Sequence, residues 1–433
     1  MHPESASVAT VITRSQMNIE ELKGSTVAFL ASGGLDSITI TRWLSDNGVT
    51  VVSFTADLGQ PDEADLAAVA RRMEAAGAAE AVIVPLREEM AEAGIEAIQA
   101  QACYEGGYWN TTPLGRYVTV RGVLPHLLRR GIGILSHGAT GRGNDQVRFQ
   151  LITNMLSPSI SVYAPWRDPA FVEAFGGREE MLSYCSSRGL PVDPSPRSLY
   201  SNDANLLGLT HEAGELESLL TPETFITPGM GVHRTDAPEA PERVEIRFEA
   251  GRPVAIGGRA LSSADEVMTE ANAVAGRNAV GIALHLVENR FVGVKSRGIY
   301  EAPGMEMLGK AYEYLLQLLL DTRAKEIFGF ASRFLGEQLY EAHGEDLASD
   351  LARSVTSRVA RLATGTVTVD LYKGHVGFVS ASDVPHSLYV EENSSMARVG
   401  EFDHVDSEGL LRVLGIGARV GALRGQVPRR LGE

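Results

Sequence analysis

Between Thr26 and about Trp166, short β-branched runs alternate with stretches whose apolar positions recur at helical spacing. This is the pattern of parallel strands joined by crossover helices, and it predicts an α/β fold class. VAFLAS (27–32) reads as a buried first strand, and Ile38 to Asn47 as a helix that Gly48 ends, because glycine takes the left-handed cap conformation without penalty. VTVVSFTA (49–56) is the second strand, Asp62 to Ala76 a helix with acidic residues in its first turn, and AVIVPL (81–86) a third strand. Arg116 to Arg130 and IGILSHG (132–138) supply a further helix and a fourth strand. Ligands of such sheets sit beyond the carboxyl ends of the strands.

Past this region the pattern changes. A Pro- and Ser-rich segment at 191–196 and a shift to mixed strands place the start of a second domain between Pro165 and Leu199. RVEIRFEAGRPVAIGGRAL (243–261) holds two alternating runs about a Gly-Arg-Pro turn, which predicts a hairpin. Met305 to Tyr340 and Leu347 to Leu362 have the periodicity of long amphipathic helices, whereas TVTVDLYKG and GFVSAS return to strand. The last amphipathic piece, EGLLRVLGIGARVGALRG (408–425), fits a partner-binding tail and a plain packed helix equally. There is no internal repeat or low-complexity tract. The division expected is an N-terminal extension (1–24), a nucleotide-binding domain (25–180), a second domain (181–405) and a C-terminal oligomerisation arm (406–433).

With 433 residues, 44% of them hydrophobic and 22% charged, the chain has the composition of a globular protein with room for two domains. It carries no apolar segment long enough to span a bilayer, and its polar start lacks a signal-like apolar core, so a soluble, cytoplasmic protein is expected. Cys103 and Cys185 are too few for a disulfide framework and lack the paired spacing of a zinc site, so no structural metal is expected. The formal charge of −16 argues against broad nucleic-acid or membrane binding, because counterion release needs clustered Lys and Arg. An anionic ligand must therefore be held locally.

The sharpest chemical signal is Ser32-Gly33-Gly34-Leu35-Asp36-Ser37, at the junction of the first strand with the first helix. Two glycines admit a phosphate close to the backbone, flanking hydroxyls add donors, and the helix N-terminus supplies oriented N–H groups. A pyrophosphate cradle is one reading; a tight Gly-Gly turn capped by Asp36 is the other. The kinase and GTPase loop GxxxxGK[ST] is absent and the first strand is not followed by GxGxxG, which removes support for hydride-transfer cofactors.

SGGLDS resembles the signature of the ATP pyrophosphatases, and the rest of the chain resembles the argininosuccinate synthase family. The matching segments are TADLGQPDEAD (55–65), YWNTTPLGR (108–116), HGATGRGNDQVRF (137–149), APWRD (164–168), YSNDANLLGLTHE (200–212), VENRFVGVKSRGIYEAPGM (287–305) and LYKG (371–374). The resemblance implies a parallel-sheet nucleotide-binding domain of the ATP pyrophosphatase type, a second α+β synthetase domain and a C-terminal helical arm in a homotetramer. It implies ATP as cofactor, with Ser32, Gly33, Gly34, Asp36 and Ser37 on the phosphates and Ala56, Gly138, Thr140 and Asp203 also at the nucleotide. Thr140, Asn144 and Asp145 would bind aspartate; Tyr108, Asn144, Arg148, Ser201, Thr210, Glu212, Glu288 and Tyr300 would enclose citrulline. Asp36 and Asp145 are the expected catalytic carboxylates. Arg148 suits a carboxylate, and Glu212 and Glu288 suit N–H groups. Blander roles stay open: Arg148 paired with a neighbouring Asp, Glu212 on a solvated helix, Asn144-Asp145 capping a helix. His137 and both cysteines are expected to be structural.

The implied chemistry has two steps. The citrulline ureido oxygen attacks the α-phosphate of ATP, expelling pyrophosphate, and the aspartate amine then displaces AMP. Positioning and electrostatics carry both steps without a protein nucleophile, and Mg2+ is implied on the phosphates, organised by Asp36, with no protein-only metal site.

The chain departs from the family loop, aromatic-Ser-Gly-Gly-Leu-Asp-Thr-Ser, at Ala31, Ser37 and Ile38, and it reads AHGEDL (342–347) where close relatives carry an aromatic pair. A relative joining aspartate to another ureido compound is the alternative. A glutamine-hydrolysing synthetase is disfavoured, since position 2 is His2 rather than a nucleophilic Cys. A tRNA-modifying enzyme is disfavoured by the acidic charge, and a non-catalytic homologue by the retained functional residue types.

Overall fold

The computed structural model describes residues 17–63, 65–141, 143–192, 199–291, 293–395 and 404–426. Positions 1–16 of the expected N-terminal extension, most of the Pro- and Ser-rich linker and the last seven residues lie outside them.

The first layer is a five-stranded parallel sheet ordered β3-β2-β1-β4-β5, made from β1 (Thr26–Leu30), β2 (Thr50–Asp57), β3 (Glu80–Pro85), β4 (Ile134–His137) and β5 (Ser161–Tyr163). After their exposed first residues, Thr26 and Thr50, the central strands β1 and β2 are buried almost throughout, because helices cover both faces. Leu30 at the end of β1 pairs with Phe54 on one side and His137 on the other, which sets the carboxyl ends of three strands side by side. Helix Leu35–Asp46 follows β1, and Gly48 beyond it has a φ of +78°.

Two antiparallel sheets form the second half. One, ordered β11-β12-β7-β6, contains β6 (Ser201–Asn205), β7 (Gly208–Glu212), β11 (Leu284–Asn289) and β12 (Lys295–Glu301). The other, ordered β10-β9-β8-β13-β14, contains β8 (Glu242–Glu249), β9 (Arg252–Ile256), β10 (Arg259–Ala260), β13 (Gly365–Tyr372) and β14 (His375–Ser382). The predicted hairpin is β8–β9, but its turn is Ala250-Gly251, both at positive φ, and Arg252 and Pro253 already belong to β9.

The larger apolar core runs from Val52 and Phe54 of the parallel sheet through helices Arg87–Ala100 and Thr111–Arg130 to Ile246, Val369 and helix Pro303–Leu319, and a second, with Phe29, Ile40 and Tyr163, is separate from it. The two halves are thereby welded rather than hinged on a polar seam. Helix Arg87–Ala100 has no counterpart in the sequence reading. It buries Met90, Ala91, Ala93, Gly94, Ile95, Ala97 and Ile98 against several neighbours, so it lacks the single apolar stripe that reveals an amphipathic helix. A Cβ at Gly94 would lie 2.5 Å from Leu207 Cδ2, so glycine lets the halves approach.

Two of the expected helices are bounded differently because a carboxylate caps a helix inside the expected range. The expected Asp62–Ala76 helix is Leu66–Ala75, capped by Asp65 accepting from Ala68 N–H. Met305–Tyr340 is two helices, Pro303–Leu319 and Thr322–Tyr340, because Asp321 caps the second by accepting from Ala324 N–H at 2.7 Å. Helix Leu347–Ala360 begins where expected, capped by Asp346, and ends short of Leu362. Helix Asp406–Leu423 buries none of its residues.

Candidate active site

The phosphate-loop glycines are shaped by what surrounds them. Gly33 has a φ of +75° and a Cβ there would sit 2.7 Å from Val69 Cγ1, so a larger residue would be both strained and crowded. Ser32 N–H donates to Ser37 Oγ at 3.0 Å and the two hydroxyl oxygens lie 3.2 Å apart, closing the loop over the first turn of helix Leu35–Asp46. Gly34 stands at the helix cap without a side-chain hydrogen bond, so first-turn N–H groups have no side-chain cap there. Asp36 is half-buried rather than exposed, and Trp166 Nε1 donates to its Oδ1 at 3.2 Å. Burial raises its carboxyl above the ordinary range, opposed by the Trp166 hydrogen bond.

Beyond this loop opens a cavity of about 660 Å³ at the carboxyl ends of β1, β2 and β4. Ser32, Asp36 and Ser37 line it together with Ala56 at the end of β2, Gly138 and Thr140 after β4, and Asp203 on β6. Opposite them stand Tyr108, Asn144, Asp145, Arg148, Thr210, Glu212, Glu288 and Tyr300. Gly33 and Gly34 are not among the lining residues. Ser201, exposed at the start of β6, is also outside the lining, and its neighbour Asn202 faces the cavity instead.

Asp145 begins helix Asp145–Leu156 and is held from two sides: Arg116 donates from Nε at 3.0 Å and Nη2 at 2.7 Å to Oδ2, and Arg148 Nη1 donates to Oδ1 at 2.8 Å. Burial would raise this carboxyl, but the two guanidiniums hold it well below the usual carboxylate range. The bland reading of Arg148, an ion pair with a neighbouring Asp, is thus present in the structure. Its Nε also donates to the Tyr340 carbonyl at 3.1 Å, and its guanidinium lies 4.8 Å from the Tyr340 ring centroid.

Asn144 does not use its side chain as a helix cap. Its Nδ2 donates to Tyr340 Oη at 2.9 Å, while its buried Oδ1 has no protein partner among the described residues. The Tyr108 and Tyr300 rings pack tilted by 34° with centroids 4.2 Å apart, and burial pushes both phenols up. Thr210 and Thr112 hydroxyls lie 3.0 Å apart, and Glu288 accepts from Ser296 Oγ at 3.0 Å. Glu212 ends strand β7, not a helix, so the solvated-helix reading is corrected. Partial burial raises its carboxyl, aided by Asp145 and opposed by Arg290, whose Nη2 is 3.9 Å away. His137 is fully buried, accepts from Ala139 N–H at Nδ1, and is pushed down to about 3 by burial.

The sequence reading assigned no role to Arg116, Tyr340, Trp166 or Arg290, all near these groups. Arg116, Trp166 and Arg290 lie inside segments that resemble the family, but no spacing or pattern along the chain sets them apart from their neighbours. Tyr340 ends a helix far along the chain and had no local signal.

Two family models cover nearly all of this architecture: the "Arginosuccinate synthase N-terminal HUP domain" matches residues 26–191 and the "Arginosuccinate synthase C-terminal domain" matches 200–421. The chain belongs to the argininosuccinate synthase family. These are ATP-using ligases of arginine biosynthesis. An argininosuccinate synthase from Rhodopirellula baltica is 39% identical over 391 residues, covering 90% of this chain and 96% of that one. Among solved structures, a predicted tRNA methyltransferase subunit from Methanocaldococcus jannaschii is 18% identical, covers 38% of this chain and 76% of its own, and has a TM-score of 0.26. Leishmania major tyrosyl-tRNA synthetase with tyrosinol is 12% identical, with coverage of 78% and 48% and a TM-score of 0.17. At those scores neither likeness bears on the argininosuccinate synthase fold described above.

Proposed function

We propose that this chain condenses citrulline with aspartate at the expense of ATP, through a citrullyl adenylate, giving argininosuccinate, AMP and pyrophosphate. The observation that carries the reading is one cavity lined both by the phosphate loop, through Ser32, Asp36 and Ser37, and by Arg148, Glu212 and Glu288. A phosphate acceptor site and an amino-acid site must share a space if an adenylate is to form between them.

In the first step the ureido oxygen attacks the α-phosphorus; an O–P bond forms, and pyrophosphate leaves with the electron pair of the broken P–O bond. In the second, the aspartate amine adds to the ureido carbon, loses a proton, and AMP departs with the former ureido oxygen. Ser32, Gly33, Gly34, Asp36 and Ser37 hold the phosphates, and Ala56, Gly138, Thr140 and Asp203 the rest of the nucleotide. Thr140, Asn144 and Asp145 hold aspartate. Tyr108, Asn144, Arg148, Thr210, Glu212, Glu288 and Tyr300 enclose citrulline, with Ser201 assigned there on the resemblance alone. The unpaired Asn144 Oδ1, buried at the cavity wall, suits a ligand N–H.

Among the described residues no three His, Cys, Asp or Glu side chains cluster as metal ligands. Magnesium therefore fits here only as a companion of the nucleotide, with one or two carboxylates beside phosphate oxygens. Asp36 would hold it, and it would supply charge neutralisation on the phosphates. The boundary near residue 180, a homotetramer joined through residues 406–433 and a cytoplasmic location belong to the same proposal. No helix among the described residues is long and apolar enough to cross a membrane.

Turnover of citrulline carrying oxygen-18 in its ureido group tests the reaction, with the label expected in AMP. Unlabelled AMP during productive turnover would overturn it. A strong preference for another ureido compound would keep the chemistry and change the substrate.

A further inference from the structure

Arg116 projects from helix Thr111–Arg130 to the cavity wall, its side chain 18% exposed. Its Nη2 donates to Asp145 Oδ2 at 2.7 Å and to Asp203 Oδ2 at 2.5 Å, and its Nε to Asp145 Oδ2 at 3.0 Å. One guanidinium thus touches Asp145, assigned to the amino-acid side through aspartate, and Asp203, assigned to the nucleotide side. The α-phosphorus must lie where the amino-acid and nucleotide sides meet when the ureido oxygen attacks. The other cations lining the cavity are Arg148 and Arg290. Arg148 is committed to Asp145 Oδ1 and the Tyr340 carbonyl, and Arg290 leans towards Glu212, so both belong to the acceptor side.

The same wall presents Asp36, Asp62, Asp145, Asp203, Glu212 and Glu288, a negative surround in which charge building on a phosphoryl group is opposed. A fixed guanidinium there needs no reorganisation as that charge develops. Among the described residues Arg116 Nη1 has no hydrogen-bond partner, while Nε and Nη2 are anchored. We propose, resting on the reaction given above, that Arg116 is a catalytic residue of adenylation, its Nη1 donating to a non-bridging oxygen of the α-phosphate as pyrophosphate leaves. Asp145 and Asp203 are then the groups that hold the guanidinium in place.

Arg116→Lys keeps a positive charge for both carboxylates but loses the planar fork. Pyrophosphate release by this variant should fall ~100-fold or more in kcat, the usual effect of losing one transition-state donor, with KM for ATP within ~threefold. Its preference between the two diastereomers of adenosine 5′-(α-thio)triphosphate, which differ at the oxygen in question, should shrink relative to wild type. Arg116→Gln, checked for an unchanged thermal midpoint, should show the same loss. A kcat within ~threefold of wild type, or an unaltered diastereomer preference, overturns the proposal; so does a loss confined to KM for citrulline and aspartate, which would mark Arg116 as a positioning residue. Wild-type enzyme that places no label in AMP would instead defeat the underlying reaction, so the two failures are distinguishable.

Discussion

Asp145 and Arg148 face each other across the first turn of one helix, Arg148 Nη1 2.8 Å from Asp145 Oδ1, while the other carboxylate oxygen is taken by Arg116. The aspartate therefore neutralises two guanidiniums that burial would otherwise penalise.

Asp145→Asn should destabilise the protein by about 1–3 kcal/mol, below the value for a fully buried pair because a quarter of this side chain faces the cavity. Since its folded pKa is depressed, the stability is present above the ordinary carboxylate value of 3.8 and is lost on acidification below it. Denaturant melts at pH 7 check the magnitude; an unchanged midpoint would show that the guanidiniums find other partners.

Ile38 is not a lost phosphate donor. Its side chain is 2% exposed, inside a core that includes Phe29, Ile40 and Tyr163, although the loop it follows suggests a hydroxyl there. Ile38→Ser leaves a cavity and a buried hydroxyl, so it should cost about 2–4 kcal/mol without lowering KM for ATP. A lowered KM with unchanged melting would refute the packing role.

His137 couples folding to pH. Its folded pKa, pushed down to about 3 by burial, lies below the ordinary 6.5, so unfolding takes up a proton between those values. The stability of the neutral ring is fully present above pH ~6.5 and falls by about 1.4 kcal/mol per pH unit as pH drops towards about 3. Thermal midpoints of wild type should fall more steeply between pH 7 and 5 than those of His137→Asn; parallel slopes would mean the imidazole is charged in the folded state.

Helix Asp406–Leu423 exposes Leu410, Leu411, Val413, Leu414 and Ile416, more apolar surface than a lone helix leaves to water. Truncation after Val405 should reduce the mass measured by light scattering while the monomer's melting changes little. A constant mass would remove the helix from any subunit interface.

The four strands from Thr26 to His137 and helices Leu35–Asp46, Leu66–Ala75 and Thr111–Arg130 were legible along the chain because each carries its own apolar pattern, and the phosphate loop because its glycines and hydroxyls are contiguous. Family membership was legible for the same reason, being written in short segments. Helix Arg87–Ala100 was hidden by burial on more than one side, which erases the polar face that periodicity detects. Only the tertiary structure decided which charges meet. Arg116 reaches Asp203 across 87 positions, and Asn144 reaches Tyr340 across 196. Neither pairing leaves a local trace, because an ion pair or hydrogen bond between elements depends on which strand ends the shared core draws together.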